Sequence, residues 1–134
     1  MNNQRIHALR LKPGDDLKQA LQNFVVENNI QAGWMITCVG SLTKYNIRFA
    51  NRPNGNNDEG YFEILSLTGT LSVNGSHLHI GIADNVGKTI GGHLLEGCIV
   101  YTTAEIVIGE SKEIIFLRAY DGTTQWKELK IGEQ

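Results

Sequence analysis

Only one stretch of this chain carries a helical period, and almost everything around it reads as strand. Leu17, Leu21, Phe24 and Val25 stand at i, i+4, i+7 and i+8, a single apolar stripe that needs a surface to cover. Pro13-Gly14 breaks the chain ahead of it, Asp15 or Asp16 supplies the N-cap, and Asn28-Asn29 is its stop. Strand patterns run from Arg5 to Leu11, Gly33 to Val39, Tyr45 to Ala50, Tyr61 to Leu67, His77 to Ala83, Ile99 to Ile108, Glu113 to Tyr120 and Trp126 to Ile131. A single helix cannot supply the crossovers that a parallel sheet needs. The expected fold is therefore α+β: a mainly antiparallel sheet of about seven strands with one principal helix packed on it.

Turn chemistry divides these strands. Asn74-Gly75 adopts positive φ cheaply and predicts a tight hairpin before His77, which also explains the Asn-Gly-Ser glycosylation pattern as a turn; Asp121-Gly122 predicts another. Asn51 to Glu59 is polar and rich in Asn and Gly, and is expected to form a mobile loop. A length of 134 residues fits one domain, 1–134, able to bury a core without cross-links. Cys38 and Cys98 each sit alone in apolar runs and are expected to be small core residues.

Charge and hydropathy narrow the function classes. Twelve Lys and Arg against 14 Asp and Glu leave a formal charge of -2, which gives a polyphosphate partner no excess cation. No run approaches the roughly 18 apolar residues of a membrane span, and the opening Met1 to His7 lacks the apolar core of a leader, so the expected compartment is the cytoplasm. The segments Tyr61 to Leu67 and Ile99 to Ile108 carry apolar residues on both faces. One helix cannot cover so wide a sheet, so a second copy of the chain is expected to cover the other face.

The candidate chemistry lies in the histidines. His77 and His79 are two apart in a strand and project to the same face, while Leu78 and Ile80 project to the other. His93 follows Gly91-Gly92, whose missing side chains let the backbone pass close to its neighbours; three of the four histidines fall within 17 residues. Neutral imidazole is the commonest metal ligand, and three of them leave a coordination position open for water or an anion, so zinc is the first choice. Asp84, Glu96 and Glu63 are the carboxylates nearest in sequence or across the expected sheet to orient the rings. His7, alone in the first strand, reads as structural or exposed. Gly87-Lys88-Thr89 is not a phosphate loop, because Ile82 stands where that motif needs Gly, and Gly40-Ser41-Leu42 is no nucleophile elbow.

Taken in order, Val39-Gly40-Ser41-Leu42, the run Gly60 to Gly69, His77-Leu78-His79-Ile80, Gly91-Gly92-His93-Leu94 and Thr103-Ala104-Glu105-Ile106 resemble the plants and prokaryotes conserved (PPC) family over about Ile6 to Arg118. The resemblance implies an antiparallel α+β fold assembled into a homotrimer through its sheets. It also implies a histidine cluster near a subunit interface that holds a metal in some members, a role carried onto His77, His79 and His93. In plant members the separate AT-hook touches DNA. This chain has no such element: its only Arg-Pro, Arg52-Pro53, lacks basic neighbours, and Tyr61 stands where the plant pattern has Arg.

Three readings of function follow. The first is a trimeric metal-binding or small-ligand-binding module, with a small anion or metabolite at the metal. The second is a DNA-associated regulator using Arg5, Arg10, Lys12, Lys44, Arg48 and Arg52, half of the basic residues, gathered in the first 52 positions. The third is a zinc-dependent hydrolase or lyase with Glu63 or Glu105 as base.

Overall fold

The computed structural model describes residues 4–134; Met1 to Asn3, the start of the segment read for a leader, lie outside the described residues. Eight strands and one helix are formed among the described residues: β1 Gln4–Leu11, α1 Leu17–Glu27, β2 Gly33–Arg48, β3 Asn56–Leu71, β4 His77–Ala83, β5 Thr89–Leu94, β6 Ile99–Ser111, β7 Ile114–Ala119 and β8 Glu128–Glu133. Six of them form one sheet in the order β1-β6-β2-β3-β4-β5, with every pair antiparallel, and β7 and β8 form a separate hairpin. The expected mainly antiparallel architecture with one helix is what the chain adopts.

The helix begins where its cap allows. Asp16, not Asp15, is the N-cap: one carboxylate oxygen accepts from the Gln19 N–H at 3.1 Å and the other from the Gly97 N–H at 2.8 Å. One side chain thus starts the helix and ties it to the strand that follows Gly97. Leu17, Leu21 and Val25 are buried against the sheet, Asn28 closes the last turn, and Asn29 takes a φ of 48° beyond it. Cys38 and Cys98 are core residues, and burial pushes both thiols up to about 11, so they behave as small apolar groups.

Three differences from the sequence reading matter for the site. First, β2 runs unbroken through Gly40, because a Cβ there would stand 2.1 Å from the Thr103 carbonyl oxygen of β6: the glycine allows strands to approach rather than ending one. Second, β3 begins at Asn56, inside the stretch read as a loop, because Asn56 to Glu59 pair with Ile47 to Lys44. Third, Thr89 to Leu94, outside the strand patterns of the sequence, is a strand. This β5 pairs with β4 and, at Ile47↔Leu94 and Arg48↔His93, with the end of β2, so β2 to β5 close on themselves. Gly91 and Gly92 make that closure sterically feasible. A Cβ on Gly91 would lie 2.6 Å from the Ile80 carbonyl oxygen of β4, and one on Gly92 2.5 Å from the Arg48 carbonyl oxygen of β2.

The face turned away from the helix is not covered. Tyr61, Leu65, Val39 and Tyr101 are exposed on β3, β2 and β6, with the Tyr61 and Tyr101 rings 5.1 Å apart. The C-terminal hairpin is anchored to the body: the Phe116 N–H donates to the Gln31 carbonyl at 2.9 Å, and Ser72 and Asn74 both donate to the Phe116 carbonyl at 3.1 Å. No helix among the described residues is long and apolar enough to cross a membrane.

Candidate metal centre

The closed arrangement of β2 to β5 sets the histidines side by side. Residues directly opposed in antiparallel strands share a face, and the pairings Thr68↔His79, His79↔His93 and Arg48↔His93 lay one row across four strands. His77, two residues before His79, lies in the next row opposite Thr70. Ring centroids are 4.9 Å apart for His77 and His79, 5.4 Å for His77 and His93, and 5.8 Å for His79 and His93. Each imidazole offers one nitrogen, and the three nitrogens lie within 4.8 Å of one another. Among the described residues this is the one group of His, Cys, Asp or Glu so gathered.

The donor set suits a metal. Ligand nitrogens at about 2.0–2.1 Å from a tetrahedral zinc stand roughly 3.4 Å apart, so small side-chain rotations close the triangle. Two of the rings, His77 and His93, are also biased towards the form that ligates, because only neutral imidazole has a lone pair to give. Burial lowers the pKa of His93 to about 4, with the charges of Arg48, His77, His79 and Lys18 adding to the effect. Burial also lowers His77, helped by His79, Arg118 and Arg48 and opposed by Glu128. Only His93 is partly buried; His77 and His79 face solvent, which leaves the centre open on one side.

The carboxylates expected around the rings stand elsewhere. Asp84 caps the β4–β5 turn at the far end of those strands, accepting from the Val86 and Lys88 N–H groups at 3.0 and 2.9 Å. Glu63 pairs with Ala83 at that same distant end, and Glu96 lies in the turn after β5 with its carbonyl accepting from Asn46 at 2.7 Å. Glu105 sits on β6 opposite Arg10 and Val39. The carboxylate felt at the centre is Glu128, and a second cation, Arg118, donates to the Thr70 hydroxyl at 3.0 Å beside His77. Both come from the β7–β8 hairpin, and nothing in their local sequence announces this, because docking of the hairpin brings them there. His7 is structural, as read: its Nε2 lies 2.8 Å from Glu110 and its ring meets Phe24 edge-on.

Comparison with known proteins places the chain in a family. A relative named bifunctional protein GlmU, from Synechococcus sp. (strain JA-3-3Ab), is 45% identical over 127 residues, which is 95% of this chain and 20% of that protein. The chain thus spans about a fifth of the length of that curated relative. A hypothetical protein from Salmonella enterica, solved at 1.55 Å, is 39% identical with a TM-score of 0.97, covering 100% of this chain and 97% of its own. A metal-containing protein from Archaeoglobus fulgidus shares the fold at a TM-score of 0.78 and 24% identity, over 94% of this chain and 93% of its own. The model of the Plants and Prokaryotes Conserved (PCC) domain matches residues 1–112, from the first strand through β6 and with all three histidines inside it, and the chain belongs to that family.

Proposed function

We propose that the protein is a homotrimeric binding module whose His77, His79 and His93 hold a transition metal, zinc in the first instance. The observation that carries this reading is the convergence of three imidazole nitrogens within 4.8 Å on a solvent-open face. The metal-containing Archaeoglobus protein of the same fold supports it. A bound zinc would leave a coordination position for water or an anion. Binding rather than turnover is the reading, because Glu63 and Glu105, the candidate bases, lie on other parts of the sheet. Arg48, counted among the cations for DNA, stands beside His93 instead, and Arg10 is engaged with Thr102 and Thr103.

Elemental analysis of the purified protein is expected to find about one zinc per chain. His93→Ala should lose at least about 100-fold in zinc affinity while keeping the fold, since two exposed imidazoles remain. Retention of less than about a tenth of a metal per chain, with no divalent metal raising the melting temperature, would remove the proposal.

The trimer rests on the family resemblance and on the exposed face of Val39, Tyr61, Leu65 and Tyr101, whose burial between copies would remove apolar surface from water. Light scattering is expected to give three times the chain mass. Leu65→Lys should shift that mass downward by placing a charge inside the contact. A wild-type chain that stays monomeric at tens of micromolar would count against the assembly.

A further inference from the structure

The surroundings of the three histidines are more cationic than a metal centre by itself requires. Arg48 stands opposite His93 on the same face, and Arg118 is hydrogen-bonded to Thr70, the residue opposite His77. Lys18, on the first turn of α1, borders the small crevice that His93 lines together with Gln22 and Ser76. Against these three cations the one carboxylate felt at the rings is Glu128. Neither guanidinium forms an ion pair with a carboxylate among the described residues: the ion pairs found there belong to Glu110. Arg48 instead makes a long 3.5 Å contact to the Arg52 carbonyl, and Arg118 bonds a neutral hydroxyl.

A divalent cation placed among such residues meets repulsion unless a negative ligand completes the site. Guanidinium groups present a planar fork of donors that matches carboxylate and phosphate oxygens. We propose that the three-histidine centre takes a small oxyanion, a carboxylate or a phosphate, held between the metal and the guanidinium groups of Arg48 and Arg118. Arg118 lies beyond the matched family domain, which ends at residue 112, so it is the C-terminal hairpin that adds this ligand-selecting residue to the histidine cluster. The inference rests on the metal reading above and goes past it to the class of ligand.

The test uses zinc-loaded full-length protein titrated calorimetrically with malonate and, separately, with inorganic phosphate, at constant ionic strength set by chloride. Saturable binding of either probe is expected, and the stronger of the two identifies the oxyanion class. Arg118→Gln and Arg48→Gln should each weaken that probe at least tenfold while zinc content stays unchanged, and Arg118→Lys should fall between, keeping the charge but losing the fork. If Arg118→Gln does not fold, Arg48→Gln and Arg118→Lys carry the same comparison. Zinc binding with no response to either anion, or undiminished anion binding by the folded Arg variants, overturns this proposal and leaves the metal reading intact. Failure of the wild-type chain to hold zinc overturns both.

Discussion

Gly92→Ala is expected to cost about 2–4 kcal/mol of stability and to abolish zinc binding at the proposed centre, although the sequence keeps all three histidines. The added methyl would stand 2.5 Å from the Arg48 carbonyl oxygen and 3.0 Å from Ile47 Cγ2. The first of these is backbone, which cannot turn aside as the end of a long side chain can. Relief requires β5 to leave β2, and with it His93 leaves the row in which it stands beside His79. Thr89→Ala, an exposed position on the same strand, should stay within about 0.5 kcal/mol of the parent, which separates the steric effect from any general weakening of β5. Urea unfolding gives the stability and elemental analysis the metal content. A Gly92→Ala protein that unfolds at the parent's midpoint and keeps its zinc would show that β5 has room to spare.

The same strand shows what the sequence could and could not disclose. His77 and His79 were legible because a strand's period of two needs no tertiary information to place them on one face. His93 was legible as a candidate, but its element was not, since Gly91-Gly92 has the composition of a turn and the reason for two glycines lies in the carbonyls of Ile80 and Arg48 on other strands. In the same way the patterns Gly33 to Val39 and Tyr45 to Ala50 read as two strands what is one, β2, running through Gly40. The helix, by contrast, was fixed by local rules: an apolar stripe, an Asp cap and an Asn stop. Glu128 and Arg118 were beyond reach because they arrive at the histidines only through docking of the β7–β8 hairpin, which is held by the carbonyl of Phe116 and the backbone of Gln31. The family resemblance singled out the three histidines but was silent on how this hairpin docks, since the last motif that carries it is Thr103-Ala104-Glu105-Ile106.

Glu110 shows a different limit, and its removal should be costly although it lies outside the centre. It is a carboxylate at 1% exposure on β6, and its neighbours Ile108 and Gly109 are buried with it. A charge so placed survives only if its oxygens are satisfied. His7 Nε2 lies 2.8 Å from one oxygen and the Lys112 ammonium 3.1 Å from the other, so β1 and the end of β6 are clamped across the sheet edge. Burial by itself would raise this carboxyl; the hydrogen bonds from His7 and Lys112 outweigh it and hold the pKa below the usual value of 4.5. A carboxyl so depressed stabilises the fold above its unfolded pKa, and that contribution is lost as the pH falls below about 4.5. His93, lowered to about 4 from 6.5, acts in the same direction at higher pH, because the unfolded chain takes up a proton there before the folded one does. In the chain stripped of metal by a chelator, stability is therefore expected to decline in two stages on acidification, between about pH 6.5 and 4 for the histidine and below about 4.5 for Glu110. Glu110→Ala should cost about 3–5 kcal/mol at pH 7, since it leaves a void and unpairs His7, whereas Glu110→Gln, which keeps the volume and one acceptor, should cost about 1–3 kcal/mol. In the Gln protein the lower stage of the acid profile should vanish while the histidine stage persists. Urea midpoints measured from pH 7 to pH 3.5 decide it, and an Ala variant within about 1 kcal/mol of the parent at pH 7 would show that the buried carboxylate does not hold β1 in place.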